Sequence, residues 1–176
     1  MRDRLSRARA AAAAVCDPEI PALTLEDLGV LRSVELEGDR IVVQIVPTYT
    51  GCPATEAIRD DLDQALTDAD ASPFEVRILL SPPWQTDWIT ADGRRKLLDS
   101  GIAPPACGGL AQNPQVVPIR FFARSSAAIR CPRCDSPRTE LLSEFGSTAC
   151  KALYRCLGCA EPFDYFKPYQ AAHPEH

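Results

Sequence analysis

Four of the eight cysteines in this 176-residue chain come in two matched pairs. Cys131-Pro132-Arg133-Cys134 and Cys156-Leu157-Gly158-Cys159 are both Cys-x-x-Cys, with 21 residues between the pairs. A tetrahedral ion needs four ligands converging at about 2.3 Å. A Cys-x-x-Cys turn brings two thiolates to one ion, and a second turn on an adjacent hairpin completes the shell. The spacing predicts a four-thiolate site for zinc, or for iron in its place. Four protein ligands leave no open position, so the ion is structural. A cytosolic setting argues against disulfides. A module of about 40 residues also has too little core to fold without such a staple. Knuckles of this kind commonly place Gly after the second Cys, and Asp135 and Ala160 stand there instead. Asp tolerates the left-handed conformation and Ala does so poorly, so the second knuckle departs from the usual pattern. Cys150 lies between the pairs and is read as a packing residue, with a fifth thiol near the metal as the alternative.

A second thiol sits apart. In Thr48-Tyr49-Thr50-Gly51-Cys52-Pro53, Pro53 suits the first position of a helix and places Cys52 at the N-cap. Unpaired amides and the positive end of the helix dipole meet the sulfur there and favour thiolate. Gly51 permits close approach of a ligand or partner. Cys52 is therefore a candidate metal ligand, sulfur acceptor or partner contact, and equally a residue that fills space at a helix start. The carboxylates of Asp17, Glu19, Asp27 and Glu56 are read as near it. They could add a hard ligand to an iron site; capping of loops, as Asp before Pro often does, is the preferred reading. The only His residues, His173 and His176, lie in the last four positions. Hydrolytic Cys-His or Ser-His chemistry and a His-rich catalytic metal site would all have to borrow that tail. Cys16 and Cys107 have no ligand partner at short spacing.

The elements that position these residues read as follows. Residues 1–15 favour helix, ended by Pro18 and Pro21. Residues 30–36 and 41–46 read as strands around a Gly38-Asp39 turn. Residues 53–67 form an amphipathic helix with Ala54, Ala57, Ile58, Leu62, Ala65 and Leu66 on one face. A strand follows at 74–80, and a short helix at 91–100 between an N-cap Thr90 and a stop at Gly101. Residues 102–118 are Pro- and Gly-rich and read as a long loop wrapping the first domain. Residues 119–124, 138–145, 151–156 and 163–166 read as strands, the last three laid out as a zinc ribbon. Trp84 and Trp88 flank Pro82-Pro83; they either pin that loop to the core or form a partner surface. Arg94-Arg95-Lys96 reads as a solvated basic face.

Composition bounds the answer. With 45% hydrophobic and 24% charged residues the chain is globular. Sixteen prolines make it loop-rich. The run Ala8–Val15 is too short to span a bilayer, and Asp17-Pro18-Glu19 is not a cleavage site, so the protein is read as cytoplasmic. Net charge is −5; residues 1–125 carry 13 Lys+Arg against 18 Asp+Glu, and residues 126–168 carry 6 against 5. That balance lacks the basic footprint of a nucleic-acid binder.

Asp17-Pro18-Glu19-Ile20-Pro21, Asp27-Leu28-Gly29 and Pro47-Thr48-x-x-x-Cys52-Pro53, in this order, resemble the motifs of the MIP18 (DUF59) family. Members act in iron–sulfur cluster assembly and delivery, and the Cys of Thr-x-x-x-Cys-Pro is their reactive position. Cys131-Pro-x-Cys134, Glu144-Phe-Gly-Ser-Thr-x-Cys150-Lys-Ala-Leu-Tyr-Arg-Cys156 and Glu161-Pro-Phe-Asp-Tyr-Phe-Lys167 resemble the PaaD family of the bacterial phenylacetyl-CoA epoxidase system. In that family a MIP18-like domain is fused to a zinc ribbon, and the resemblance covers about residues 5–168. The fold expected is α+β, with a MIP18-like domain over residues 1–118, a zinc ribbon over 119–168 and a flexible tail at 169–176. The resemblance implies a non-enzymatic accessory protein of aerobic phenylacetate degradation. It would mature the reductase or the oxygenase of the epoxidase, with Cys52 transiently holding iron, sulfur or an iron–sulfur cluster, supported by Thr48, Asp17 and Glu19. Zinc would be held by Cys131, Cys134, Cys156 and Cys159. The alternative is a structural component of the epoxidase complex that handles no metal. Neither nucleic acid nor membrane is expected as a partner, and the oligomeric state stays open.

Overall fold

The computed structural model describes residues 2–49, 51–105 and 129–168. The chain divides into two compact units, with the division between Ser100 and Gly101. The expected domain boundary at 118, the strand at 119–124, Cys107 and the tail at 169–176 lie outside the described residues.

The first unit opens with helix α1 (Arg2–Ala14), followed by strands β1 (Leu31–Glu37) and β2 (Arg40–Ile45), helix α2 (Ala54–Asp68) and strand β3 (Phe74–Ile78). The three strands form one sheet in the order β1-β2-β3, antiparallel then parallel. The parallel pair requires a crossover, and α2 supplies it. Gly38 makes the β1–β2 turn at φ +63°, where a side chain is rarely accommodated. The central strand is apolar on both faces: Ile41, Val42, Val43 and Ile45 are all buried. Helix α1 packs on β1, β2 and α2, burying Ala8 and Ala12. Helix α2 buries Ala54, Ile58, Leu62 and Leu66. Ala57, expected on the same face, is exposed.

A 3-10 turn (Thr86–Trp88) and helix α3 (Ala91–Asp99) complete the unit. Thr90 caps α3 as its sequence suggests, accepting from the Gly93 amide at 2.9 Å. Gly101 follows the helix at φ +75°.

The second unit is a four-stranded sheet in the order β4-β7-β6-β5, from β4 (Ile102–Ala103), β5 (Thr139–Ser143), β6 (Lys151–Cys156) and β7 (Pro162–Phe166). Strands β5, β6 and β7 are an antiparallel meander, and β4 joins β7 in parallel. Ile102–Ala103, expected as irregular loop, is thus a sheet strand. The core is small: Ala103, Cys131, Cys156 and Phe163, with Ile129, Tyr154 and Tyr165 packed against it.

Candidate metal centre and thiol loop

The ribbon's two knuckles are built alike. In the first, the Cys131 amide donates to the Ser136 carbonyl at 3.0 Å; in the second, the Cys156 amide donates to the Glu161 carbonyl at 3.0 Å. Both turns close with a left-handed residue after the second Cys, Asp135 at φ +57° and Ala160 at φ +64°. The second knuckle therefore forms with Ala where Gly is usual. That conformation costs an L-residue on the order of 1 kcal/mol. Gly158 lets the knuckles meet, since a Cβ there would stand 3.0 Å from Ser136 Oγ.

The four sulfurs of Cys131, Cys134, Cys156 and Cys159 lie within 4.8 Å of one another. Cys131 Sγ is 3.8 Å from Cys159 Sγ, and Cys134 Sγ is 3.5 Å from Cys156 Sγ. Four sulfurs each about 2.3 Å from one ion stand roughly 3.8 Å apart, so the cluster fits a tetrahedral thiolate-loving cation. Four thiols this close cannot all ionise unaided. The Cys159 amide, then the Gly158 amide and the Cys134 thiol, outweigh burial and pull Cys156 down to about 6. The Ser136 amide draws Cys134 the same way, but the neighbouring thiols and burial push it up to about 12. A divalent cation removes this conflict by displacing the protons. Cys150 stands outside the cluster, half-buried, its sulfur 3.0 Å from Thr148 Oγ1.

Cys52 lies half-buried in the loop between β2 and α2. The helix begins one residue later than its sequence suggests: Pro53 is the cap and Ala54 the first helical residue. Cys52 instead shapes the entry, its carbonyl accepting from the Thr55 amide at 3.1 Å. Thr48 is half-buried in the same loop. Among the described residues no three Cys, His or carboxylate ligands converge on Cys52; the ribbon cluster is the one such group.

Two of the motif carboxylates, Asp17 and Asp27, hold backbone. Asp17 is buried and its Oδ1 accepts from the Glu19 and Ile20 amides at 2.8 and 2.9 Å, the capping role expected of an Asp before Pro. Asp27 accepts from the Thr24 amide at 2.9 Å and from Lys96 Nζ at 2.6 Å. Burial raises its carboxyl, but Lys96 and the Thr24 groups outweigh that and hold it below the ordinary value. Lys96 also pairs with Asp92 at 3.1 Å, and Arg94 donates to the Thr86 carbonyl at 2.8 Å. Arg94 and Lys96 thus make structural contacts, while Arg95, 63% exposed and paired only within its own helix, stays on the solvated face that the sequence suggests.

The rest of Asp27-Leu28-Gly29 does similar work. The indole of Trp84, 1% exposed, donates to the Leu28 carbonyl at 2.8 Å. A Cβ on Gly29 would lie 2.5 Å from the Trp88 carbonyl, and one on Gly93 2.5 Å from the Asp27 carbonyl. Trp84 therefore pins its loop to the core. Trp88 is half-buried, with the Arg32 guanidinium 3.7 Å from its ring centre. Sequence reasoning missed that these motifs bind residues 84–96; the Gly at 29 and 93 were the available signal.

Comparison with known proteins agrees with both units. Residues 6–78 match the family described as iron-sulfur cluster assembly protein, and residues 118–167 match the PaaD zinc beta ribbon domain. A solved DUF59 domain from Bacillus anthracis shares the fold of the first unit, with 24% identity and a TM-score of 0.50 over 55% of this chain and 92% of that one. The molecule is thus a DUF59-type α+β domain joined to a zinc ribbon with metal-binding cysteines. A protein of Escherichia coli (strain K12) named as a component of 1,2-phenylacetyl-CoA epoxidase is 49% identical over 151 residues, 86% of this chain and 85% of that one. The chain belongs to the PaaD family of phenylacetyl-CoA epoxidase proteins.

Proposed function

We propose that this chain is a cytoplasmic, non-catalytic accessory factor of aerobic phenylacetate degradation. It passes iron or an iron–sulfur unit to the reductase or oxygenase of the phenylacetyl-CoA epoxidase. Zinc on Cys131, Cys134, Cys156 and Cys159 holds the ribbon in shape. Cys52 is the handover thiol, with Thr48 shaping its loop and Asp17 fixing the Asp17–Ile20 turn beside Glu19. The observation that carries this reading is a half-exposed thiol on a scaffold of the cluster-assembly family, without a full ligand set among the described residues. A cargo held by one thiol is released readily, whereas a closed four-ligand site retains its ion. No helix among the described residues is long and apolar enough to cross a membrane.

A second reading, a structural component that handles no metal, draws on the name of the Escherichia coli relative. Growth on phenylacetate separates the two. A strain lacking this protein, complemented with Cys52→Ala, fails to grow under the first reading and grows normally under the second. Cys16→Ala, at an exposed thiol outside both sites, complements under either.

A further inference from the structure

The thiol loop between β2 and α2 hangs on one short stretch of chain. Its first residue, Val46, donates its amide to the Val30 carbonyl at 2.9 Å. Two residues upstream, the Leu28 carbonyl holds the indole of Trp84 at 2.8 Å. Residues 28–30 thus fix both the root of the loop and a buried aromatic side chain. Trp84 belongs to neither β3 nor α3, and it lies beyond the segment 6–78 that matches the cluster-assembly family.

Trp84 and the loop also share a wall. Pro47 and Tyr49 from the loop, with Leu79, Leu80, Pro83 and Trp84 from the chain just after β3, line one small depression. Tyr49 carries this support to the thiol, because its carbonyl accepts from the Cys52 amide at 3.3 Å. The other side of the loop is bare. Gly51 is exposed, and a Cβ on it would meet nothing within 4 Å. Pro53 is exposed as well.

Cys52 therefore has two backbone anchors. One is the first turn of α2, where the Thr55 amide donates to its carbonyl at 3.1 Å; the other is Tyr49. The second anchor is as firm as the wall behind it. Displacing the indole of Trp84 would break a hydrogen bond buried in the core, and a buried carbonyl left without its donor is costly.

We propose that Trp84 is a positioning residue for Cys52: held by the Leu28 carbonyl, it braces Tyr49, and through Tyr49 it fixes the thiol loop. Asp27-Leu28-Gly29 and the Cys52 loop, distant in sequence, are thereby coupled through one side chain. The proposal deepens the accessory-factor reading and rests on it only for what Cys52 does once positioned.

The test treats the zinc-loaded full chain with N-ethylmaleimide under native conditions. Modification of Cys52 is followed by peptide mass spectrometry relative to Cys16, an exposed thiol of the same unit. Trp84→Phe keeps a ring and removes the indole donor. The ratio of the Cys52 rate to the Cys16 rate is expected to rise about fivefold, the size of one lost hydrogen bond. Tyr49→Leu cuts the link from the loop side and is expected to give a similar rise. The double variant is expected to react no faster than either single one, since both remove the same brace. Ile41→Val, at a fully buried position at the far end of β2, weakens the same core comparably and is expected to leave the ratio unchanged. An unchanged ratio in Tyr49→Leu would overturn the proposal, and this arm stands even if Trp84→Phe does not fold. So would additive effects of the two variants, or an equal rise in Ile41→Val, which would make Trp84 a core residue and nothing more. Iron transfer does not enter these rates, so failure here leaves the role of Cys52 standing.

Discussion

Replacing Gly29 with Ala tests whether Asp27-Leu28-Gly29 is a docking platform. Gly29 sits at φ +67°, and a Cβ there would stand 2.5 Å from both Cβ and the carbonyl oxygen of Trp88. Gly38 supplies the control: its φ is +63° and a Cβ would meet nothing within 4 Å. Ala at Gly38 therefore incurs only the left-handed backbone penalty, about 1 kcal/mol. Ala at Gly29 incurs that and must also push the turn at Trp88 away, an overpacking cost of about 1–3 kcal/mol. The total is about 2–4 kcal/mol. Both tryptophans of the chain lie in the first unit, so their fluorescence follows that unit alone in urea. With a slope of about 1–2 kcal/mol per molar, Gly29→Ala lowers the midpoint by roughly 2 M and Gly38→Ala by less than about 1 M. Equal shifts for the two variants would refute the platform, because the contact with Trp88 would then contribute nothing.

Other consequences follow from the same contacts. Asp27→Asn removes a carboxylate whose acidity the fold enhances, so the stability it adds is present above the ordinary carboxyl range and lost as pH falls through the folded value. The gap between wild type and Asp27→Asn, measured by urea midpoints from about pH 7 to about pH 3, closes below about pH 4; a gap constant with pH would contradict the Lys96 pairing. Ala160→Gly relieves the left-handed knuckle and tightens zinc binding a few-fold, equivalent to about 0.5–1 kcal/mol, in a chelator competition; unchanged affinity would mean the knuckle adapts to Ala without strain. Removing the ion with a strong chelator abolishes the near-ultraviolet signal of Tyr154, Phe163 and Tyr165, which pack around two of the ligands, and leaves tryptophan fluorescence intact. A retained tyrosine signal would show that the ribbon's small core suffices alone.

Local chemistry was legible in the sequence wherever a few neighbouring residues decide the outcome. The Cys-x-x-Cys pairs, the apolar stripe of α2 apart from Ala57, the cap at Thr90 and the Gly38 turn all depend on short spacing, and the structure places them where spacing puts them. Interactions across long stretches were not legible. Nothing near Asp27 announces that its partner is Lys96, 69 residues on. Ile102–Ala103 read as loop because its two residues carry no periodicity; pairing with β7 alone makes them a strand. At Cys52 the reading erred by one residue, since Pro53 serves as the cap rather than the first helical residue. The bulge at Leu142 was hidden because it arises from the register with β6, and one sequence does not display a register.

The central claim is that Cys52 hands metal to the epoxidase. Its most direct test is to co-express the epoxidase reductase and oxygenase with this chain, with its Cys52→Ala form and without it. Each client is then purified anaerobically and its iron and sulfide quantified, along with zinc in this chain. The account predicts iron-replete clients only with the unaltered chain, while zinc stays near one per chain in both forms, as a four-thiolate site requires. Full client iron in all three preparations would contradict it and leave the reading of a structural, metal-free role in the complex.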